Sequence, residues 1–271
     1  MKIAFIGGGN MATALIAGLV KEGGDTTHVH VVDPNPEALA RLASAYGATG
    51  AAGIDGAVAA VDVIVLAVKP QQMREVAAAL APHLGQSPLV LSIAAGIRGA
   101  DLSRWLGGYG AIVRAMPNTP ALIGMGITGL VALGGVSAEQ RTAADAVLRA
   151  VGQTVWLDDE ALIDPVTAVS GSGPAYVFYF LEAMQAAAEE MGLSAQQGKQ
   201  LALATFAGAT QLAAQSDESL EVLRQRVTSK GGTTHAAITS MQASGVKESI
   251  VAAMHAASAR GRELGDELGG T

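Results

Sequence analysis

The sequence predicts an α/β fold, in which an N-terminal Rossmann-like, doubly wound sheet precedes an all-α C-terminal domain. Three observations lead to this prediction. Over residues 1–158, short apolar segments that suit strands alternate with segments of helical period, an arrangement typical of βαβ units on a mainly parallel sheet. A glycine-rich turn separates the first strand segment from the first helix segment. Residues 159–271 are helical in pattern, so we place the domain boundary at 158/159.

The strands are expected where apolar, often β-branched residues follow one another. The run at 62–68, DVIVLAV, is continuous, as in a strand buried on both faces of a sheet. We expect strands at residues 2–6, 28–33, 62–68, 89–94, 112–116, 127–133 and 154–157.

The helices are expected where apolar residues recur with a helical period. Pro36 near the start and Gly47 after the end delimit the second helix, and Pro174 suits the first turn of another. We expect helices at residues 10–22, 36–46, 71–84, 98–106 and 138–151, and, in the second domain, at 175–191, 195–215, 220–227 and 246–264. Because alanine-rich helices bury little surface each, we expect the second domain to share its core with another subunit.

Composition excludes several classes of function. The net charge is −7 with no basic run, which argues against a nucleic-acid partner. The chain has no cysteine, and this excludes disulfides, thiolate metal sites and cysteine nucleophiles. No apolar stretch reaches the length of a membrane-spanning helix, and the glycines at 7–9 interrupt the apolar N-terminus where a signal peptide would continue. We therefore expect a cytoplasmic protein.

The five histidines show no spacing typical of a metal site. His28 and His30 would lie on one face of an expected strand. A zinc pair and a solvated strand end are both compatible with that pattern, and we favour the solvated end. No protein-bound metal is predicted.

The pattern Gly7-x-Gly9-x-x-Ala12 follows a strand and opens a helix, which is the context of a dinucleotide fingerprint. Gly7 permits the tight turn, Gly9 lets the backbone approach a pyrophosphate, and Ala12 lets the helix lie close to the sheet. The helix N-terminus offers N–H groups to phosphates. Asp33, at the end of the second strand, can hold a ribose hydroxyl. The alternative is an ordinary tight turn with a capping aspartate.

The same aspartate leaves the choice of coenzyme open. The Asp33 carboxylate favours NAD, because it would repel the 2′-phosphate of NADP. Asn35 and Arg41 are donors that could offset this repulsion. The residues alone do not decide between the two coenzymes.

Three further segments lie at the carboxyl ends of successive expected strands, where open parallel sheets bind ligands. They are 67–70 (AVKP), 92–96 (SIAAG) and 114–120 (RAMPNTP). Each could be a rigid turn, but together they predict a cleft. In the helical half, 170–174 (SGSGP) and 228–234 (TSKGGTT) can present N–H groups at helix starts to a small carboxylate. Neither is a P-loop or a hydrolase elbow.

These motifs occur in a family order: FIGGGNM at 5–11, AVKPQ at 67–71, RxMPNTP at 114–120, SGSGPAY at 170–176 and VTSxGGTT at 227–234. Over essentially its whole length the chain resembles pyrroline-5-carboxylate reductases, which catalyse the last step of proline biosynthesis. Lys230 departs from the family, in which proline is common at that position. Asp33 followed by Pro34 leaves the coenzyme preference in doubt, although the family mostly favours NADPH.

The resemblance implies a helical dimerisation domain that interlocks between subunits, and assembly in some members into rings of five dimers. It implies NADPH as coenzyme, with NADH as the alternative, and hydride transfer to the imine of 1-pyrroline-5-carboxylate to give L-proline. The implied coenzyme-binding residues are Ile6, Gly7, Gly8, Gly9, Asn10, Met11, Asp33, Asn35, Ala67, Val68, Lys69, Pro70, Ile93, Ala94, Ala95 and Asn118. The implied substrate-binding residues, with Thr234 as the catalytic hydroxyl, are Glu160, Ser229, Gly231, Gly232, Thr233 and Thr234. The turn at 229–234 that holds the substrate carboxylate would come from the partner subunit.

Two other functions compete with this interpretation. A β-hydroxyacid dehydrogenase also joins a Rossmann domain to a helical one, but it needs a lysine on the early interdomain helix. The expected helix at 175–191 has none, and the first lysine afterwards is Lys199. A nonenzymatic dinucleotide sensor would differ by lacking turnover, and the two glycine–hydroxyl clusters argue against it.

Overall fold

The computed structural model describes residues 1–22 and 28–270. They form two compact units. Unit one contains residues 1–172 together with those from 256 onward, and unit two is Gly173–His255. The boundary expected at 158/159 separates a coenzyme-binding domain from a dimerisation and substrate-binding domain, and it stays a prediction. No helix among the residues described is long and apolar enough to cross a membrane.

Unit one is built on a single twisted sheet. Its strands are β1 (Ile3–Ile6), β2 (Val29–Val32), β3 (Thr49–Ala51), β4 (Val63–Leu66), β5 (Leu89–Ser92), β6 (Ile112–Met116), β7 (Gly126–Ala132) and β8 (Gly152–Trp156). Their order is β3-β2-β1-β4-β5-β6-β7-β8. All neighbours are parallel except β6 and β7, which are antiparallel. The predicted doubly wound α/β class is therefore confirmed.

Helices cover both faces of the sheet. In unit one they are α1 (Asn10–Lys21), α2 (Pro36–Tyr46), α3 (Met73–Leu80), α4 (Gly99–Trp105), α5 (Ala138–Arg149) and α6 (Ile163–Val166), which continues into a π-helical turn at Thr167–Gly171. One hydrophobic layer joins α1 and α5 to the sheet through residues such as Leu15 and Leu148. The other joins α3 and α4 through Met73 and Leu102. These side chains are fully buried.

Unit one departs from the prediction at one helix and at one strand. The single helix expected at 71–84 is a 3-10 turn (Pro70–Gln72), then α3, then a second 3-10 turn (Ala81–His83). Pro82 lies in that last turn, and proline cannot donate the hydrogen bond that would continue an α-helix. Strand β3 was not predicted, because a three-residue TGA segment carries no strand pattern; it forms by pairing with β2.

The interpretation of the histidine pair as a solvated strand end is wrong for His30. Its side chain is buried in β2. Its Nδ1 lies 2.9 Å from the Thr49 hydroxyl and its Nε2 lies 3.4 Å from an Asp55 carboxylate oxygen. His30 therefore links β2 to the neighbouring edge of the sheet. Within the described part of the chain, no group of three or more His, Cys, Asp or Glu side chains could hold a metal ion.

Unit two is helical. It contains α7 (Gly173–Glu190), α8 (Ala195–Ala214), α9 (Leu220–Arg226), α10 (Thr233–Ala243) and the first part of α11 (Val246–Gly269), whose residues from 256 onward belong to unit one. Helix α10 was not predicted, since TTHAAITSMQA mixes β-branched and polar residues without an apolar stripe. A groove of about 750 Å³ opens within the unit, lined by Phe180, Leu220 and Met241 among others.

Candidate active site

The turn after β1 requires glycine. Gly7 has a φ of +103°, and a Cβ atom built there would lie 2.6 Å from the Ala67 carbonyl oxygen. The Gly7 N–H donates to the Val32 carbonyl at 2.8 Å. A side chain at this position would therefore push the turn away from the end of β4.

Gly9 leaves the start of α1 open. Gly9 is the N-cap of α1, and of the side chains that the structure describes none caps this helix. No described atom lies within 4 Å of a Cβ built on Gly9. The first N–H groups of the helix and its positive dipole end therefore face open space, which fits a bound phosphate group.

The Asp33 carboxylate holds the glycine turn. Its Oδ2 accepts from the Gly8 N–H at 2.7 Å, and its Oδ1 accepts from the Asn35 N–H at 2.8 Å. Asn35 caps α2 by accepting from the Glu37 N–H at 2.9 Å. The Arg41 guanidinium, from α2, donates to the Gly8 carbonyl at 3.2 Å. The negative charge of Asp33 is thus solvated by two backbone donors, with a cation beside the same turn.

The strand ends predicted to line a cleft lie along one edge of the sheet. The parallel strands β1, β4 and β5 are neighbours, and the Ala67 N–H donates to the Ile6 carbonyl at 2.8 Å. The Ile93 N–H donates to the Leu66 carbonyl at 3.2 Å. Lys69 is exposed at this edge. The structure therefore brings most predicted coenzyme-binding residues together: those at 6–11, 33, 35, 67–70 and 93–95.

Asn118 is buried and held by the protein itself. Its Oδ1 accepts from the Ile127 N–H at 3.0 Å, and its Nδ2 donates to the Ser170 carbonyl at 3.2 Å. This amide ties the turn after β6 to β7 and to the π-helical turn. A Cβ on Gly171, in that turn, would lie 2.6 Å from the Met116 methyl carbon. The Ser170 hydroxyl donates to the Val166 carbonyl at 2.9 Å, so it serves the helix.

Glu160 lies in an ion pair that the sequence did not indicate. Its Oε1 is 2.6 Å from Nη1 of Arg114, whose side chain is only 7% exposed. The same oxygen accepts from the Gly99 N–H at 2.6 Å, at the start of α4. A buried cation needs such a partner, and a helix N-terminus favours an anion. An arginine within an apolar strand indicates that a buried cation needs an anionic partner. No local pattern identifies Glu160, 46 residues away, as that partner.

The predicted substrate turn is in unit two. Gly231 has a φ of +77°, and the Gly232 N–H donates to the Ser229 carbonyl at 3.0 Å. Gly232 is the N-cap of α10, whose start is not capped by any side chain in the described structure. Ser229, Thr233 and Thr234 are exposed around it. The turn therefore presents hydroxyls and open helix N–H groups, a combination suited to a small carboxylate.

The comparisons with known proteins agree with this architecture. Residues 160–264 match the family model for pyrroline-5-carboxylate reductase dimerisation, and residues 2–96 match the model for NADP oxidoreductase coenzyme F420-dependent proteins. The chain is 49% identical to a pyrroline-5-carboxylate reductase of Pseudomonas aeruginosa, over 99% of this chain and 98% of the other. It is 43% identical to that of Haemophilus influenzae, over 97% of each chain.

Solved structures lead to the same family. A pyrroline-5-carboxylate reductase of Coxiella burnetii superposes with a TM-score of 0.92 at 38% identity, covering 97% of this chain and 98% of the other. A Plasmodium falciparum pyrroline carboxylate reductase with NADP bound superposes with a TM-score of 0.87 at 27% identity, covering 98% of both chains. With identity of this extent over nearly its full length, the chain belongs to the pyrroline-5-carboxylate reductase family.

Proposed function

We propose that this chain holds NADPH on the glycine turn and strand edge of unit one, and that the turn before α10 of the partner subunit holds the carboxylate of 1-pyrroline-5-carboxylate. Its family comprises NAD(P)-dependent oxidoreductases whose known role is the final step of proline biosynthesis. The observation that carries the assignment of sites is the pair of uncapped helix starts, α1 and α10, each preceded by a glycine turn in the structure as described.

The bound coenzyme supplies the hydride that reduces the imine carbon. The chain's own contribution is to bind and orient. The N–H groups of Asn10 and Met11 hold the pyrophosphate at the start of α1. The backbone at 67–70 and 93–95 lines the ribose and nicotinamide side, and Asn118 fixes the neighbouring turn. A protonated imine already carries a proton on nitrogen, so no strong protein acid is required.

On the substrate side, Ser229, Thr233 and the amides of Gly231 and Gly232 hold the carboxylate, and Thr234 orients the imine nitrogen. Glu160 stays a predicted ligand contact. Holding two reactants in a near-attack geometry supplies about 7–11 kcal/mol of the barrier, so positioning accounts for most of the catalysis.

We expect Thr234→Ala to lower kcat/KM by about 10²-fold if its hydroxyl donates to the reacting group. Thr234→Ser should retain most of the activity, because it keeps the hydroxyl. Thr239→Ala, five residues further along α10, is the matched control. If Thr234→Ala changed kcat/KM by less than about twofold, the role assigned to Thr234 would be wrong.

NADPH is the preferred coenzyme in this proposal, and NADH is the alternative. Both Asp33 oxygens already accept backbone N–H groups, while Arg41 lies beside Gly8 where a 2′-phosphate would approach. The NADP-bound Plasmodium relative supports the same choice. A charge-assisted hydrogen bond contributes about 1.5–3 kcal/mol, so Arg41→Ala should raise the KM for NADPH by about tenfold or more.

The KM for NADH should stay nearly constant in Arg41→Ala, since NADH has no 2′-phosphate. Arg74→Ala, at an exposed arginine of α3, controls for loss of surface charge. An equal rise for both coenzymes would mean that Arg41 supports the turn without recognising the phosphate.

The first measurement is the loss of nicotinamide absorbance with 1-pyrroline-5-carboxylate, run in parallel with NADPH and NADH. Oxidation establishes the reaction in this chain, and the ratio gives the preference. Tight coenzyme binding without oxidation would favour the sensor and overturn the substrate assignment.

The assembly and location are also proposed. The dimerisation model at 160–264 supports a homo-oligomer. We propose a dimer that associates into a ring of five dimers in the cytoplasm, where reduced coenzyme is available. Light scattering distinguishes masses of two and ten times 27.2 kDa, and cell fractionation tests the location. A single 27.2 kDa species at micromolar concentration would contradict the shared core.

A further inference from the structure

The part of α11 that belongs to unit one packs against the rest of that unit along a row of glycines. Gly261, Gly265 and Gly269 are four residues apart and therefore share one face of the helix. A Cβ on Gly261 would lie 3.2 Å from the Asp164 carboxylate, and one on Gly265 would lie 3.0 Å from Nε of Arg98. A Cβ on Gly269 would overlap the carboxylate of buried Asp101.

Glycine costs a helix interior about 1 kcal/mol relative to alanine, so Gly261 and Gly265, which lie inside α11, indicate that close approach is needed on this face.

Two arginines of unit one bind the same part of α11. Arg98, the N-cap of α4, donates from Nη2 to Asp266 at 2.6 Å and to the Arg262 carbonyl at 3.3 Å. The hydrogen bond that Arg98 donates to Asp266 raises the pKa of Arg98 above its ordinary value. Arg104 donates from Nη2 to the Gly269 carbonyl at 2.7 Å. This last bond satisfies a carbonyl that the end of a helix leaves without an intrahelical partner.

Apolar contacts connect α11 to the turn after β5. Gly96 has a φ of +72°, and a Cβ there would lie 3.2 Å from Leu268 Cδ1 and 3.3 Å from Leu264 Cβ. Leu268 also packs against the buried layer that contains Ala94 and Ile97. The two leucines of α11 therefore contact the segment that directly follows residues 93–95 of the strand edge.

We propose that the part of α11 from residue 256 to 269 is a positioning element of the coenzyme site. Leu264 and Leu268 hold the Gly96 turn in its left-handed conformation, and this fixes the backbone at 93–95 against the nicotinamide side. The glycine row and the two arginines keep the helix close enough for these contacts. The inference rests on the proposed coenzyme role of residues 93–95; none of these α11 side chains is assigned a contact with substrate.

The test compares Leu268→Ala with Arg260→Ala. Arg260 lies on the same helix but pairs with Glu263 and Glu267 of that helix. Without coenzyme, we expect amide hydrogen exchange at 93–97 to become faster in Leu268→Ala and to stay unchanged in Arg260→Ala. NADPH affinity, followed by nicotinamide fluorescence without substrate, should fall about tenfold in the first and change less than about twofold in the second.

Leu268→Met keeps the apolar volume and should restore both the exchange rates and the affinity. A lower Tm with unchanged exchange at 93–97 and unchanged NADPH affinity would mean that Leu268 serves stability alone, and would overturn the proposal.

If Leu268→Ala fails to fold, the isosteric pair Asp266→Asn and Glu267→Gln replaces it. Asp266 pairs with Arg98 of unit one, whereas Glu267 pairs with Arg260 of its own helix. The Arg98–Asp266 pair is exposed, so we expect a loss of NADPH affinity of only about two- to threefold in Asp266→Asn, and none in Glu267→Gln. Equal behaviour of the two variants would overturn the proposal.

These readouts need no turnover. A wild-type chain that binds NADPH but does not oxidise it with 1-pyrroline-5-carboxylate would refute the proposed function and leave this inference standing.

Discussion

The two units differ in where their apolar side chains go. In unit one, large residues such as Phe5, Leu66 and Leu91 are fully buried between the sheet and its helices. In unit two, all of whose residues are described, the buried residues are small: Ala188, Gly198 and Ala202. Large apolar side chains are exposed instead, for example Tyr179 at 74% and Leu220 at 74%.

This contrast shows that the two units obtain their stability from different sources. Unit one has two hydrophobic layers of its own. Unit two exposes apolar surface of a kind that marks an interaction site in other proteins. Its match to a dimerisation model supports a second copy as the partner.

The largest effect is expected from a charge placed in the groove of unit two. Met241, which is 49% exposed, lines that groove, whereas Met125 is 73% exposed in unit one. Met241→Lys should abolish dimers, because an unpaired charge in an interface costs about 3–5 kcal/mol. Met125→Lys should leave the mass and the activity unchanged.

Sedimentation at micromolar concentration measures the mass, and the coenzyme oxidation assay measures the activity. If both lysine variants remained dimeric, the groove would not be the interface, and the explanation for the exposed surface of unit two would be wrong.

The next largest effect, on stability, is expected at the Arg114–Glu160 ion pair. Glu160→Ala removes the partner of buried Arg114 and should destabilise unit one by about 2–4 kcal/mol, somewhat below the full cost because Glu160 is 35% exposed. Glu160→Gln should lose less, since its amide oxygen still accepts from the Gly99 N–H. Glu75→Gln, at an exposed position of α3, is the control.

The readout for this prediction is specific to unit one, because both tryptophans of the chain, Trp105 and Trp156, are in that unit. Denaturant unfolding followed by their emission gives the stability, and steady-state kinetics give both KM values. A stable Glu160→Gln variant with a raised KM for 1-pyrroline-5-carboxylate would instead support the ligand contact that the family resemblance implies.

The sequence predicted the sheet well where local patterns are strong. The strands β4 and β5 are buried on both faces, so all of their positions except Ser92 are apolar and the strand pattern is clear. The glycine turn was predictable for a related reason: the φ of Gly7 and its approach to Ala67 exclude side chains. In both cases the residues of one short segment determine the local structure of that segment.

Other features depend on contacts between distant segments. Strand β3 exists because β2 offers an edge, and the burial of His30 follows from that pairing. The Arg114–Glu160 pair and the contact of Gly269 with Asp101 join residues with no shared local pattern. Helix α10 was missing from the predicted helices, although the glycine–hydroxyl cluster before it was expected at a helix start. Local propensity does not contain such information.

The smallest effect on stability is expected from one polar cluster within unit one. Asp145, on α5, accepts hydrogen bonds from the Thr154 hydroxyl at 2.6 Å and the Trp156 indole at 3.2 Å, and it pairs with Arg149. Burial acts to raise the pKa of Asp145, but the hydrogen bonds from Thr154, Arg149 and Trp156 outweigh it and hold the pKa below its ordinary value.

A carboxyl group whose pKa is lower in the folded than in the unfolded state stabilises the fold above its unfolded pKa, and that stabilisation is lost as the pH falls through the folded value. Asp145→Asn should therefore cost about 1 kcal/mol at neutral pH, and the difference from wild type should shrink below about pH 4. Asp158→Asn, at an exposed aspartate, is the control for the loss of a negative charge.

Tryptophan emission across a pH series of denaturant curves measures this difference. Because Trp156 itself donates to Asp145, its emission should also shift in the variant before unfolding begins. A difference that stayed constant from neutral to acid pH would show that the cluster acts by packing and not by charge. Unit two should not respond in either case, since its stability is expected to depend on association with a second copy.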